Sequence, residues 1–279
     1  HRGKPMQVYF VATPIGNLGD ISLRALETLR GADVIFCEDT RHTLKLLNHF
    51  EIKKPLVACH KFNETAAAEK LVSLAEEGKT VAVVTDAGTP VISDPGNILV
   101  NALRENGVGY TLIPGACAFV AALVLSGFPA DVFAFLGFLR GKTSEKRAFL
   151  QGYADFCGTL IFYSAPQDVD ADVRLLAEVL GDRPACAVRE ITKIHESAEH
   201  FNLAAGLAGE KRGEYVLLVR GAQKRENPLN SLSETEHIRH YVEQGMTEKE
   251  ALKAAAKDRG VPKSELYKFT VREKRKERR

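Results

Sequence analysis

The chain has 279 residues and a formal net charge of +2, and 45% of its residues are hydrophobic and 27% charged. This length approaches that of two average domains, and the apolar content is enough for a full core, which excludes a disordered, collagen-like or disulfide-stapled protein. The five cysteines lie far apart without a Cys-x-x-Cys pair, which argues against a disulfide framework and a thiolate zinc site and favours a reducing cytoplasm.

The first half of the chain carries the pattern of an open parallel sheet of the α/β class. Short β-branched and aromatic runs alternate with amphipathic segments, as is typical of parallel-sheet proteins. The helical segments have apolar stripes, such as Leu23, Leu26 and Leu29 in the first of them. Strands are predicted near residues 7–12, 33–37, 56–60, 80–85 and 110–113.

The longest uncharged stretch, residues 110–130, includes an apolar helix predicted over 116–126. Prolines and glycines interrupt the stretch and leave an apolar run of about ten residues, which is too short to span a bilayer. No apolar segment with a small-residue cleavage site opens the chain. We therefore expect a cytoplasmic protein without membrane association.

A second α/β domain with a mixed sheet is expected to begin near Gly127. Two of its predicted strands, 184–190 and 195–201, have almost nothing between them, which implies an antiparallel pair. The other strands are predicted near 132–138, 159–164 and 214–221, and the helices near 145–153, 168–180 and 203–209.

The C-terminal part has the outline of a helix-turn-helix that follows a linker over 223–230. Two capping boxes, Ser233 with Glu236 and Thr247 with Glu250, each open a polar helix, and a third helix opens after Pro262. Residues 259–279 hold nine Lys and Arg against three Glu, a net charge of +6. Such a tail is either a solvated helix end or a contact for a polyanion. The expected domains are 6–126, 127–222 and 231–279.

Three loops rich in Gly and Pro follow strands of the predicted parallel sheet, over residues 13–20, 86–96 and 114–118. Because the carboxyl ends of parallel strands share one edge, where ligands bind in open α/β sheets, we expect the loops to form one site rather than three independent turns. None is a Gly-x-Gly-x-x-Gly loop. Prolines lack the N–H groups that hold phosphates, and Asp86 and Asp94 would repel a pyrophosphate. The loops therefore favour a nucleotide-like ligand without phosphates.

Five segments resemble the signatures of the tetrapyrrole methylase-like class of S-adenosylmethionine (SAM) methyltransferases, and within it those of the small-subunit ribosomal RNA enzymes. The resemblance runs in order from about residue 8 to residue 221, and the Asp-Ala-Gly-Thr-Pro block is its most specific part. The segments are Val11-Ala-Thr-Pro-Ile-Gly-Asn-Leu-Gly-Asp-Ile21, Glu38-Asp-Thr-Arg-His42, Val84-Thr-Asp-Ala-Gly-Thr-Pro-Val-Ile-Ser-Asp-Pro-Gly96, Phe162-Tyr-Ser-Ala-Pro166 and Arg189-Glu-Ile-Thr-Lys-Ile-His-Glu196.

The resemblance implies two α/β domains with SAM folded into the cleft between them, in a homodimer. It also implies methyl transfer to the ribose 2′-oxygen of a cytidine in the decoding region of small-subunit (16S) rRNA, which we expect to be presented in an assembled 30S particle. SAM carries a sulfonium cation and no phosphate, so an acidic residue near it is reasonable. The implied cofactor-binding residues are Thr13, Pro14, Gly16, Asp86, Gly88, Thr89, Pro114, Gly115, Cys117, Ala118 and Tyr163.

A ribose hydroxyl is a poor nucleophile, so a side chain that accepts its proton is expected among the charged motifs outside the glycine loops. Asp39 or His60 is the expected base, and the spacing does not choose between them. Glu38 and Asp39 could instead cap the helix that begins near Thr40, and Asp86 could cap the next helix. No metal is expected, because no His pair stands at ligand spacing with carboxylates. The candidate catalytic residues are Glu38, Asp39, Arg41, His60, Glu190 and Lys193.

Two other functions use the same features. A small-molecule methyltransferase acting on a tetrapyrrole-type ring would have the same SAM cleft, because fold does not determine substrate. A non-catalytic RNA-binding protein would bind SAM without turnover. The basic tail favours an RNA substrate over a tetrapyrrole, and the complete glycine loops favour catalysis over binding alone.

Overall fold

The computed structural model describes residues 7–93, 96–209, 211–223 and 227–267. The chain forms two compact units, His1–Ala222 and Gln223–Arg279. The first unit contains both predicted sheets, and the second contains the C-terminal helices. The three domain boundaries drawn from the sequence remain a prediction.

The first sheet is parallel throughout, as predicted. Its strand order is β3-β2-β4-β1-β5, and the pairings β1–β4, β1–β5, β2–β3 and β2–β4 are all parallel. The strands are β1 (Val8–Val11), β2 (Val34–Cys37), β3 (Leu56–Ala58), β4 (Val81–Val83) and β5 (Tyr110–Ile113). The helices that follow them are α1 (Leu23–Gly31), α2 (Thr40–His49), α3 (Glu64–Glu76), α4 (Asn97–Glu105) and α5 (Ala118–Ser126).

Both faces of the first sheet are buried, which explains why its strands are apolar without alternation. In β2, Ile35 packs into one apolar cluster with Leu29 and Leu47, whereas Phe36 packs into another with Leu71. All five are fully buried leucine, isoleucine or phenylalanine side chains of large volume. Helices therefore cover the sheet on both sides, and ligands reach it only at the strand ends.

The second sheet is mixed, in strand order β6-β7-β10-β8-β9. The pair β6–β7 is parallel and the pairs β7–β10, β8–β10 and β8–β9 are antiparallel, so the predicted antiparallel pair is confirmed. The strands are β6 (Phe133–Phe138), β7 (Thr159–Ser164), β8 (Pro184–Arg189), β9 (Ser197–Asn202) and β10 (Tyr215–Val219), with helices α6 (Thr143–Gln151) and α7 (Val169–Leu180).

Two details of the second sheet differ from expectation. The helix expected over 203–209 is a single 3-10 turn, Leu203–Ala205, because Gly206 at φ 72° leaves the helical conformation. The apolar helix α5, expected to close the first domain, packs its buried Ala122 and Leu123 against strand residues of the second sheet. The two sheets thus share an apolar helix rather than being joined by a free linker.

The second unit contains the two capped helices that the sequence predicts, α8 (Glu234–Glu243) and α9 (Glu248–Arg259), and residues 263–267 are also helical. Both capping boxes are formed. A small apolar core joins the helices through Ile238, Leu252 and Leu266. The predicted linker contains a 3-10 turn, Pro228–Ser231, and the basic tail beyond residue 267 lies outside the described residues.

No helix within the described ranges is both long and apolar enough to cross a membrane. All five cysteines are free thiols.

Two glycines make a matched test of packing in the first unit. A Cβ on Gly221 would overlap the backbone of Cys157 and Gly158, whereas a Cβ on Gly31 in α1 would have open space. We expect Gly221→Ala to lower the free energy of unfolding by about 1–3 kcal/mol, because the backbone must shift. We expect Gly31→Ala to raise it by up to about 1 kcal/mol, because alanine has the higher helix propensity.

Urea unfolding of the whole chain, followed by circular dichroism, measures both changes. An unchanged midpoint for Gly221→Ala would contradict the close packing of the two segments.

Candidate functional site

The three glycine-rich loops lie together at the carboxyl edge of the first sheet, as the strand topology predicts. The backbones of Thr13 and Gly88 exchange two hydrogen bonds, each with an N–O distance of 3.0 Å. The Thr89 hydroxyl donates to the carbonyl of Ala116 at 3.0 Å. These bonds tie the loops after β1, β4 and β5 to one another.

A cavity of about 590 Å³ opens beside these loops and is closed on its other side by residues of the second sheet. This volume lies in the usual range for small-molecule sites. The lining residues before α6 are Ile15, Glu38, Asp86, Ala87, Gly88, Thr89, Ile92, Ser93, Cys117, Ala118 and Phe138. Those from later in the chain are Tyr163, Glu190, Ile191, Lys193, Gly213, Glu214, Tyr215 and Val216.

The structure divides the predicted cofactor-binding residues into two groups. Six of them line the cavity, namely Asp86, Gly88, Thr89, Cys117, Ala118 and Tyr163. The other five, Thr13, Pro14, Gly16, Pro114 and Gly115, are not among the lining residues. They lie in the loops that follow β1 and β5, next to residues that do line the cavity.

At two positions of the second group, Gly16 and Gly115, neighbouring atoms lie too close to leave ordinary room for a side chain. A Cβ on Gly16 would stand 2.8 Å from Cε of Lys193 and 3.1 Å from the carbonyl oxygen of Ile191. A Cβ on Gly115 would stand 3.0 Å from Cβ of Ala12. The first contact brings the loop after β1 against the segment after β8, and it closes one side of the cavity.

The apolar wall of the cavity was not predicted from the sequence. Ile15, Ile92, Phe138, Ile191 and Val216 line it, and each looks like an ordinary core or loop hydrophobe in the sequence. The resemblance contained a weak signal for three of them, since Ile15, Ile92 and Ile191 lie inside its quoted segments. The cavity is thus more apolar than the polar motifs indicate.

Four carboxylate residues line the cavity, Glu38, Asp86, Glu190 and Glu214, and the first two interact electrostatically. Burial raises the pKa of Glu38, the nearby charge of Asp86 raises it further, and the interaction with His60 opposes this shift. Asp86 accepts a hydrogen bond from the backbone N–H of Asp39 at 3.0 Å. Asp86 therefore braces the end of β2, and the alternative that it caps the next helix in the chain is wrong.

The contacts that Asp39 and Arg41 make indicate a structural role for both residues. Asp39 is the N-cap of α2 and accepts a hydrogen bond from the Arg41 N–H at 2.9 Å. The Arg41 guanidinium also pairs with the Asp39 carboxylate at 3.1 Å, and these bonds lower the pKa of Asp39. Neither residue lines the cavity. The capping alternative from the sequence describes Asp39 correctly, and a carboxylate of lowered pKa is a weak base.

His60 also lies outside the set of lining residues, but it interacts electrostatically with Glu38. Its backbone N–H donates to Oδ1 of Asn63 at 2.8 Å, and the Asn63 amide donates to the carbonyl of Ala58 at 3.0 Å. Its ring Nδ1 is buried and has no hydrogen-bond partner among the described residues. His60 therefore lies outside the cavity lining and interacts with the site through Glu38.

The segment after β8 supplies an ion pair to the cavity. Lys193 Nζ lies 3.2 Å from Oε1 of Glu190, and both residues line the cavity. Glu190 and Thr192 have positive φ values of 52° and 67°, an uncommon conformation for residues with a side chain. Such strain persists where the surrounding structure requires it, often at functional sites.

The cavity suits SAM better than a phosphate-bearing nucleotide. Four carboxylate residues and one lysine line it, an acidic balance that complements a cationic ligand, and its apolar residues suit an adenine ring and the methionine chain. Tyr163, whose hydroxyl accepts a hydrogen bond from the Phe119 N–H at 3.2 Å, adds an aromatic ring to the wall. Burial raises the pKa of the Cys117 thiol, so this lining residue is neutral at physiological pH. The described residues hold no group of three His, Cys, Asp or Glu that could coordinate a metal.

Comparison with known proteins supports this interpretation. Residues 7–205 match the family described as Tetrapyrrole (Corrin/Porphyrin) Methylases. Uroporphyrin-III C-methyl transferase from Thermus thermophilus, solved in complex with S-adenyl homocysteine, shares the fold with a TM-score of 0.55 at 22% identity, over 76% of this chain and 96% of that one. The class is therefore the tetrapyrrole methylase type of α/β methyltransferase, which uses SAM, as the sequence predicts.

Curated relatives narrow this class further. Two proteins named Ribosomal RNA small subunit methyltransferase I, from Halalkalibacterium halodurans and Bacillus subtilis, are each 41% identical to this chain over 93% of its length. The matches cover 93% and 92% of the relatives. The chain belongs to the ribosomal RNA small subunit methyltransferase I family.

Gly88 and Gly78 make a matched test of the cavity. Both have left-handed backbones, with φ of 83° and 81°, but only Gly88 lines the cavity, where a Cβ would stand 3.2 Å from Cγ2 of Ile15. Because alanine costs about 1–2 kcal/mol in this conformation, both variants should be less stable. We expect only Gly88→Ala to raise the dissociation constant of SAM, by about 10-fold.

Isothermal titration calorimetry with SAM measures the difference. Equal SAM affinity in both variants and the unmodified protein would show that the loop after β4 does not contact the cofactor.

Proposed function

We propose that this chain transfers a methyl group from SAM to the ribose 2′-hydroxyl of a cytidine in the decoding region of small-subunit rRNA. The observation that carries the proposal is 41% identity, over 93% of the chain, to relatives named for small-subunit rRNA methylation. The acidic, apolar-walled cavity supports it, because this is the environment that a phosphate-free sulfonium ligand needs.

The bound cofactor supplies an electrophilic methyl group, and the protein supplies position, a dry environment and a proton acceptor. We place the cofactor-binding role on the loops after β1, β4 and β5, with Asp86, Gly88, Thr89, Cys117, Ala118 and Tyr163 as contact residues. Asp86 lies on the cavity wall, and in this proposal its carboxylate attracts the sulfonium cation. The ion pair of Glu190 and Lys193 borders the same space and orients the RNA substrate in this proposal.

We assign the proton-accepting role to Glu38. It is the only one of the first four catalytic candidates in chain order that lines the cavity, the others being Asp39, Arg41 and His60. Its raised pKa makes it a stronger base than an exposed glutamate. His60 acts through Glu38 rather than on the substrate, and Asp39 stabilises the start of α2.

This assignment predicts a pH dependence. Glu38 must be ionised to accept the hydroxyl proton, so activity should fall as the pH drops through its raised pKa, at a higher pH than for an ordinary glutamate. Glu38→Gln should lower kcat by about 100-fold, because general-base catalysis contributes about that much, and should remove this acid limb.

Asp39→Asn is the control, because asparagine is an equally good N-cap and the exposed Asp39 makes no contact in the cavity. It should leave kcat at high pH unchanged and move the acid limb only slightly to lower pH, because the Asp39 charge is the smallest of the causes that raise the pKa of Glu38. Steady-state kinetics from pH 5 to 9, with SAM affinity measured in parallel, checks both variants. Loss of activity in Asp39→Asn with retention in Glu38→Gln would reverse the assignment.

The substrate form, the assembly and the location are further parts of the proposal. We propose an assembled 30S particle as substrate in the cytoplasm, with the net +6 tail over 259–279 adding phosphate contacts. We also propose a homodimer. Exposed apolar residues on α5 and the edge strand β6 support a protein contact there, among them Val120, Val124 and Phe133 at 48%, 76% and 42% exposure.

Transfer of labelled methyl from SAM tests the function. The acceptors are small ribosomal subunits that lack the modification, naked small-subunit rRNA and a tetrapyrrole precursor, and alkali-resistant ribose positions are then mapped. Label on one ribose of the particle is the expected result. Label on the tetrapyrrole would support the small-molecule alternative, and SAM binding without any transfer would support the non-catalytic one.

A further inference from the structure

An aromatic side chain stands almost fully in water beside the catalytic end of the first sheet. Phe62 is 84% exposed, and it lies in the turn of residues 61–63 between β3 and α3. Burying a phenylalanine releases apolar surface from water, so a ring left this exposed is a candidate contact for a partner molecule.

The turn that carries Phe62 is held in place by side-chain bonds. Asn63 bridges the His60 N–H and the Ala58 carbonyl, at 2.8 and 3.0 Å. The Glu64 carboxylate accepts from the Gly96 N–H at 2.6 Å, which ties the start of α3 to the end of the loop after β4. Hydrogen bonds therefore hold the turn of Phe62 on both sides.

Phe62 is also connected to the reaction site. Its ring lies 6.0 Å from the ring of His60 in a T-shaped arrangement, and His60 interacts electrostatically with Glu38. β3 pairs with β2, and Glu38 follows β2 directly. His60 is therefore a shared neighbour of Phe62 and Glu38.

The charge beside the ring points to the kind of partner. Lys61 Nζ lies over the Phe62 ring, 4.9 Å from its centroid. An aromatic ring next to a lysine suits a nucleobase with its phosphate, because single-stranded RNA is held by stacking on aromatic side chains and by ion pairs with its backbone. A buried protein–protein contact would favour apolar neighbours instead.

We propose that Phe62 is a stacking platform for an unpaired base of the RNA substrate, at or next to the methylated nucleotide. A ribose in structured RNA reaches an enclosed site only when its nucleotide leaves the helical stack, and an aromatic surface at the site replaces the lost stacking. The proposal rests on the proposed function, because it requires RNA as substrate. It adds a substrate-positioning residue that is absent from the predicted catalytic and cofactor-binding residues.

Substitutions of Phe62 separate stacking from simple apolar contact. Phe62→Ala and Phe62→Leu should each lower kcat/KM for unmodified small subunits, and the affinity for those subunits in a filter-binding assay, by about 10-fold or more. Phe62→Trp should restore both to within about 3-fold of the unmodified protein, because tryptophan also stacks. SAM affinity by calorimetry should not change in any of them.

Phe149→Ala is the control, because Phe149 is a partly exposed aromatic residue, at 43%, on α6 and does not line the cavity. Its kinetics and RNA affinity should equal those of the unmodified protein. Full activity in Phe62→Leu would contradict the proposal that Phe62 is a stacking platform. Equal effects of Phe62→Ala and Phe149→Ala on kcat/KM and RNA affinity would contradict it as well.

Two further outcomes are distinguishable from that failure. If the unmodified protein methylates no RNA, the proposed function itself fails, and the platform fails with it. If Phe62→Ala changes the sedimentation coefficient of the protein but not its RNA affinity, the ring belongs to a contact between protein chains, and the stacking role is wrong.

Discussion

The paired backbone hydrogen bonds between Thr13 and Gly88 are the interaction on which the site depends. They join the loop after β1 to the loop after β4, and the Thr89 hydroxyl then joins the latter to the loop after β5. Neutral backbone bonds do this without placing a charge at the junction. Gly88 makes both bonds with a left-handed backbone, a conformation that glycine adopts without the steric cost of a side chain.

With the loops held by backbone, the side chains that face the cavity are free to set its electrostatic character. Burial raises the pKa of Glu38, and the nearby charge of Asp86 raises it further. A bound cation relieves this repulsion. The same pair of carboxylates thus favours a sulfonium ligand. In the proposed mechanism, one of the pair, Glu38, is also the base beside that ligand.

The sequence predicted the ten strands of the fold because apolar periodicity and turn residues are local signals. It predicted the antiparallel pair β8–β9 from the short connection alone, and both C-terminal capping boxes from residue spacing. It overestimated the helix after β9, since the glycine that ends the turn is only one residue in a helix-compatible segment. It assigned α5 to the first domain, although the buried face of that helix packs on the second sheet.

The sequence by itself determined the parallel edge, the three loops that meet there, and a ligand without phosphates, because each follows from local composition and the rules of parallel sheets. Only the tertiary structure decided which of two neighbouring carboxylates faces the cavity. Asp39 and Glu38 are adjacent in the chain, yet one caps α2 in contact with Arg41 and the other faces the cavity. That distinction depends on burial and on Asp86, which lies 47 residues further along the chain from Asp39, and no local pattern contains it.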